Sequence, residues 1–448
     1  TMKKVLTLIL AFSMLLSLAA CKGSEDEKAT DATASFESIV VGEDSTDLTA
    51  TVRILTHRTD LIDNGGFDAY VAEFNKLYPN ITIEYEGITD YAETMTTRLT
   101  DTDWGDVCMI PSTVEKKYLA DYFVALGSYD TISAKYQYID KTFDGVVYGM
   151  PSTNNVQGIV FNRAVFEAAG ITTLPTTPAE FIADLQLIKD NTDAIPLYTN
   201  YAAGWTLGAW DAYIGGCATG DATYKNQILP HASDPFADQG DETGPYAVYS
   251  VLYDAVAQGL IEEDPMSTDW ESCKAMINNG EIGVMVLGSW AVSQMQAAGD
   301  NAEDIGYMPF PITVDGTQNA TVAADYNYGV NKYSDADTQL ASLIYIKWLT
   351  EDSGFAYNEG GVPVVIGDEY PATLTDFSGV NLIVDELPLD GEESLLGDIN
   401  TASEVAIDNN NARVQAIVDA AYSGSATLDE IVATWNDAWT AAQEEYGA

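Results

Sequence analysis

An α/β protein built in two lobes is what this sequence predicts, and three observations carry the prediction. Strand and helix patterns alternate from Val52 onward, which argues for a parallel sheet with helical crossovers. The same grammar resumes at Gly158. Once a leader and a linker are set aside, roughly 400 of the 448 residues remain, more than one core usually supports.

In chain order, Val52-Arg53-Ile54-Leu55 forms a short strand that runs into the polar loop 56–60. Phe67, Tyr70, Val71, Phe74 and Leu77 then recur at helical spacing until Pro79-Asn80 ends that helix. Residues 81–85 alternate as a strand, and a helix around 91–100 leads to the apolar strand 107–110. Ligands of such sheets sit at the carboxyl ends of the strands, where the loops 56–60 and 111–113 lie. Residues 158–161 open the second series, with a helix from about Arg163. Thr177-Pro178-Ala179-Glu180 combines a capping box with Pro in the first turn of a helix through Phe181, Leu185 and Ile188. Residues 195–198 and 282–287 read as further strands. Thr427 and Glu430 form another capping box, followed by Leu428, Ile431, Val432, Trp435 and Trp439 on one helical face that belongs in a core. There is no internal repeat.

The first residues predict export. Lys3 and Lys4 precede an almost unbroken apolar run over 5–20, and Leu18-Ala19-Ala20 ends at Cys21. A basic, apolar, then small-residue order is that of a secretory signal peptide, too short for a comfortable membrane span. A cleavage site ending on Cys resembles the lipobox of bacterial lipoproteins. That resemblance implies a diacylglyceryl group on the Cys21 thiol and a mature chain starting there. Residues 22–50 are rich in Gly, Ser, Thr, Ala, Asp and Glu, with few bulky apolar side chains beyond Phe36 and Ile39-Val40-Val41. Such a stretch predicts a flexible acidic tether over 21–47, with the folded body beginning near Leu48.

Composition narrows the ligand. Sixty-nine acidic against 19 basic residues give a net charge of −50, with a hydrophobic fraction of 46%. Nucleic acid is excluded, because neutralising phosphates needs Lys and Arg clusters that are absent. An anionic small ligand is disfavoured for the same reason. Beyond Cys21, the odd set Cys108, Cys217 and Cys273 has no C-x-x-C spacing, and buried free thiols are expected, with one disulfide left open. Only His57 and His231 are available, which disfavours histidine catalysis and multi-histidine metal sites. Asp101, Asp103 and Asp106 begin a calcium-loop spacing, but Ser112 stands where the bidentate Glu is needed. No cofactor and no metal are expected.

Several segments together resemble the extracellular solute-binding proteins of carbohydrate ABC importers, the class of maltose-binding protein. They are Phe74 through Tyr85, Val147-Tyr148-Gly149-Met150-Pro151 through Asn162, Met276 through Trp290, and Tyr328-Gly329-Val330 with 340–349 and Gly360-Gly361-Val362-Pro363-Val364. The resemblance spans the whole mature chain and implies a periplasmic-binding-protein-like (type II) fold, with a ligand cleft between the lobes and a three-segment hinge. It implies a leader over 1–20, lobe one from 48–152 and 328–374, and lobe two from 153–327 and 375–448. The crossings fall near 151–155, 325–327 and 373–376. It also implies a monomer, lipid-anchored on the outer face of a Gram-positive membrane, that passes a neutral sugar or oligosaccharide to permease subunits.

A sugar offers apolar C–H faces and a fringe of hydroxyls, so it calls for aromatic platforms beside groups that donate and accept hydrogen bonds. Trp290, after Gly288-Ser289, and Trp205, in the Gly204-Trp205-Thr206 loop, match the family's cleft aromatics, whereas Trp210 is assigned to the core. Beside the crossings lie Ser152, Asn154 and Asn155, and Asp325, Tyr326 and Asn327. His57, Arg58 and Asp60 end the first strand, where Arg58 and Asp60 either reach ligand or pair to fix the loop; Asn200 is a further candidate. Arg58 stands where maltose-binding protein carries an acid, so the same ligand is not implied. Two competing readings remain. One is an exported glycan-active hydrolase, for which no carboxylate pair stands out. The other is the same fold binding a cation such as a polyamine, held by carboxylates and aromatic faces.

Overall fold

The computed structural model describes residues 35–448. The leader and Cys21 lie outside the described residues. The strands that position the site are β1 (Ala50–Thr56), β2 (Ile81–Gly87), β3 (Val107–Met109), β4 (Met150–Pro151), β5 (Asn154–Val156), β6 (Gly158–Asn162), β7 (Ile195–Leu197), β8 (Ile282–Met285), β9 (Ile305–Pro309), β10 (Thr317–Ala324), β11 (Asn327–Val330) and β12 (Asn381–Ile383).

The first lobe is built on a sheet ordered β2-β1-β3-β11-β4. β2, β1 and β3 are parallel, as the strand–helix alternation predicts, while β11 runs antiparallel to β3. Its core gathers Val52, Ile54, Phe67, Phe74, Val107, Tyr328 and the nearly enclosed helix Ala336–Glu351. The second lobe is built on the order β7-β8-β6-β9, with β6 antiparallel to both neighbours. Side chains of a strand alternate between faces, so Ile159 and Phe161 enter one core while Val160 enters the other. Trp210, Trp435 and Trp439 are buried in the larger of these cores. Cys108, Cys217 and Cys273 are buried and unpaired.

One expectation is corrected. The chain is folded well before Leu48: Phe36 is fully buried and Ile39 nearly so, both in the first lobe's core. The buried Lys347 Nζ donates to the carbonyls of Phe36 and Glu37, 3.0 Å from each, and Gly42 N–H donates to Tyr78 Oη at 2.9 Å. An average over 22–50 is dominated by small and acidic residues. It hides Phe36, whose ring meets Tyr136 and Lys347 from far along the sequence.

Backbone pairing joins the lobes. β4 pairs with β11 and β5 pairs with β10, both antiparallel. Between them Ser152 N–H donates to Tyr326 O at 3.0 Å and Asp325 N–H to Thr153 O at 2.9 Å. The register is unbroken, so 150–156 and 322–328 cross as one two-stranded ribbon. On its other side Asn154 exchanges backbone hydrogen bonds with Val362.

Phe36→Ala separates a core residue from a tether. We expect a loss of about 3–5 kcal/mol in denaturant unfolding, the usual cost of truncating a buried Phe. A change indistinguishable from zero would return 36–47 to a tether.

Candidate functional site

The second lobe supplies an aromatic corner. β8 continues through Leu287 to Gly288 and Ser289, where the helix Trp290–Gln296 begins. Ser289 is docked onto β5: its N–H donates to Val156 O at 3.0 Å, and Val156 N–H donates to Ser289 Oγ at 3.1 Å. Gly288 leaves room for the indole, because a Cβ there would stand 2.6 Å from Trp290 Nε1. Trp205 opens a short helix after Gly204 at φ 66, a left-handed value that favours glycine. Trp270 opens the helix Trp270–Asn278, capped by Asp269. The three rings meet, with centroids 4.9 Å apart for Trp205–Trp270 and 5.7 Å for Trp205–Trp290 and Trp270–Trp290. Trp205 is 40% exposed, and the other two are half-buried.

Trp270 was not legible as a site residue. It lies twenty positions before Trp290, on a separate helix, and its only local signal is the Asp269 cap before it. Lys274 Nζ sits 5.0 Å from the Trp270 ring centroid and 2.8 Å from Glu271, which fixes the outer side of the corner.

The first lobe supplies a polar and aromatic edge. The His57 ring lies against Tyr326, centroids 4.4 Å apart, and Tyr91 meets both rings edge-on. Its Nδ1 is buried without a hydrogen-bond partner. Burial pushes the imidazole down to about 4, against the opposing pull of the Asp325 carboxylate, so His57 is neutral at pH 7. Arg58 is fully engaged: Nε and Nη2 donate to the two oxygens of Asp60 at 2.8 Å each, and Nη2 also donates to Glu359 at 3.0 Å. Burial opposes this charge, yet Asp60 and Glu359 together hold the guanidinium above its usual range. Tyr70, on the helix Gly66–Phe74, donates to the other Glu359 oxygen at 3.1 Å. The pair therefore ties the first-strand loop to the segment around Glu359.

The crossing residues divide by their partners. Ser152 Oγ donates to Tyr326 O at 2.8 Å, and the fully buried Asn154 donates to Pro363 O at 3.2 Å. Asn327, also fully buried, donates to Asp140 at 2.8 Å. Ser152 thus bridges the two strands of the ribbon, while Asn154 and Asn327 tie it to the segments beside it. Asn155, 4% exposed, meets Ser289 Oγ at 3.5 Å and so touches the loop that carries Trp290. Asn200 adopts φ 55 at the end of β7, with Nδ2 on Met285 Sδ at 3.3 Å and Oδ1 buried without a partner. Asp325 and Tyr326 are half-buried. Asp103 and Asp106, the candidate calcium acids, are taken up by Arg53. Among the described residues no His, Cys, Asp and Glu group is arranged to hold a metal.

Two lobes joined by paired crossing strands, with aromatic and amide side chains at the strand ends, define a binding protein of the solute-capturing class. The chain belongs to the bacterial extracellular solute-binding proteins, whose family model matches residues 59–354. It is 47% identical to a manno-oligosaccharide-specific solute-binding protein from Bifidobacterium animalis subsp. lactis, solved with mannotriose; 93% of this chain and all of that one superpose with a TM-score of 0.91. A second binding protein of an ABC transporter from the same organism, solved with mannobiose, matches at 47% identity and a TM-score of 0.91, over 93% of this chain and 99% of that one. A diacetylchitobiose-binding protein of Streptomyces coelicolor is 28% identical over 206 residues, 44% of this chain and 45% of that one. The chain thus spans about half the length of the curated relatives it matches. These relatives are binding proteins.

His57 makes a pH prediction with a definite sign. Its folded value of about 4 lies below the ordinary 6.5, so the unfolded chain takes up the proton first as pH falls. The stability it confers is full above the ordinary value and is lost between 6.5 and 4. The unfolding free-energy difference between wild type and His57→Gln should shrink across that window. A gap independent of pH would contradict the buried neutral imidazole.

Proposed function

We propose that this protein captures a neutral manno-oligosaccharide outside the cell and passes it to the permease of an ABC importer, held to the membrane by a lipid on Cys21. The observation that carries the reading is the corner of Trp205, Trp270 and Trp290. Three adjoining indoles offer stacking faces to a pyranose, and one of them is open to water. The likeness to two proteins solved with mannobiose and mannotriose supports the mannose class.

Asn155, Asn200, Asp325, Tyr326 and His57 are the groups we assign to sugar hydroxyls. Asn200 Oδ1 and His57 Nδ1 bring unused acceptor capacity, and Asp325 is a carboxylate able to accept two hydroxyl bonds. Arg58 and Asp60 we assign to fixing the loop, and Ser152, Asn154 and Asn327 to the hinge. We take the lobes to hinge along the ribbon, with the division that the resemblance implies. No catalytic step is assigned to any residue.

Trp290→Ala tests the platform. It should weaken mannotriose binding roughly ten- to hundredfold, the ~1–3 kcal/mol that stacking and burial of an aromatic ring contribute. Its denaturant midpoint should move less. A loss of about 3–5 kcal/mol in stability with unchanged affinity of the folded protein would return Trp290 to the core. Heat released with polyamines and not with oligosaccharides would overturn the sugar.

A further inference from the structure

The lobes also meet through charge. Lys117 Nζ lies 2.9 Å from Glu115 in its own lobe and 2.9 Å from Asp398 in the helix Leu395–Ser403. Leu119, two residues on from Lys117, is fully buried in the first lobe's core, and Ile399 beside Asp398 is fully buried in the second lobe's. The ammonium therefore ties one rigid body to the other. Around it the chain gathers scarce cations. Lys116 senses Asp140 and Lys141 of its own lobe and Asp385 and Lys225 of the other. Lys225 pairs with Asp408 at 2.8 Å, and Lys141 with Asp140 at 3.2 Å. Asp140 in turn accepts the Asn327 amide from the crossing ribbon. Asp385 keeps one buried oxygen without a hydrogen-bond partner, facing this set.

Four lysines gather on this seam, out of 19 basic residues in a chain with 69 acids. The acids around them outnumber them, so the seam is no anion site. A pair that spans a hinge biases the hinge by whatever it contributes in one arrangement and not in the other. Lys117 and Asp398 are partly exposed, at 29% and 23%, so salt screens their attraction.

We propose that the Lys117–Asp398 pair is an ionic latch that favours the lobe arrangement seen here, so that capture of an uncharged ligand depends on ionic strength. The latch itself is independent of the ligand's identity; only the affinity arm of its test rests on the sugar reading.

The full folded chain is measured by solution scattering without ligand, and by titration with mannotriose. Salt is raised from about 0.01 M to about 1 M, where the screening length falls from about 30 Å to about 3 Å. Wild type should change in compactness and shift about two- to fivefold in affinity, in keeping with a partly exposed pair. Lys117→Met and Asp398→Asn should each reproduce the high-salt state at low salt, and the double variant should add nothing. The exchanged pair, Lys117→Asp with Asp398→Lys, should recover wild-type compactness. Unchanged scattering in both single variants, additive effects in the double variant, or no recovery on exchange would overturn the latch. Because scattering is read without sugar, failure of mannotriose to bind would overturn the sugar reading and leave the latch decided by the scattering alone.

Discussion

A single two-stranded ribbon sets the rest of this molecule. Strand 150–156 and strand 322–328 cross from lobe to lobe in one register, each using the other's backbone hydrogen-bonding groups. Paired strands cannot slide without breaking several bonds at once, so relative motion of the lobes has to come from twisting and bending of the ribbon. The ribbon also fixes what stands beside it in each lobe. Val156 docks Ser289, and Ser289 precedes Trp290; Tyr326 lies on the opposite strand and packs on His57. One register thus places the aromatic corner of the second lobe and the His57 edge of the first.

Electrostatics complements this arrangement by using up the cations. Every arginine among the described residues, namely Arg53, Arg58, Arg98, Arg163 and Arg413, is paired with a carboxylate. Arg413 is sealed against Asp211 in the second lobe's core, with Trp435 stacked on it at 4.5 Å. A guanidinium committed to an internal pair offers little to a charged solute. On the proposed reading, the groups left to meet a ligand are amide, hydroxyl, carboxylate and indole, which suits a neutral polyol. The same commitment makes the Lys117 contact between lobes stand out in so acidic a chain.

Much of the fold was legible because it follows periodic signals. The strands around Val52, Ile81 and Val107 declare themselves by apolar runs and turns, and the helix holding Trp435 and Trp439 by its capping box and spacing. Trp205 and Trp290 became candidates through the resemblance, which sets cleft aromatics at those two segments, Trp290 at a strand-to-helix turn. Trp270 was not among them: it also opens a helix, and its meeting with Trp205 is a tertiary fact. Phe36 was misread for a related reason: its environment is made by Lys347 and Tyr136, far along the chain. The polar residues of the crossings were found by position, but sequence could not say which would turn inward to stitch the backbone. That choice depends on partners such as Tyr326 O, Pro363 O and Asp140, which only the folded chain brings near.

On the proposed reading, the protein binds a neutral oligosaccharide and leaves it intact. Calorimetric titration of the folded chain with mannotriose, followed by chromatography of the sugar recovered from the cell, tests it most directly. Saturable heat at one site per chain is expected, with mannotriose recovered unshortened. Absence of heat with mannotriose and other neutral oligosaccharides, or recovery of shorter sugars at a rate set by the protein, would contradict it.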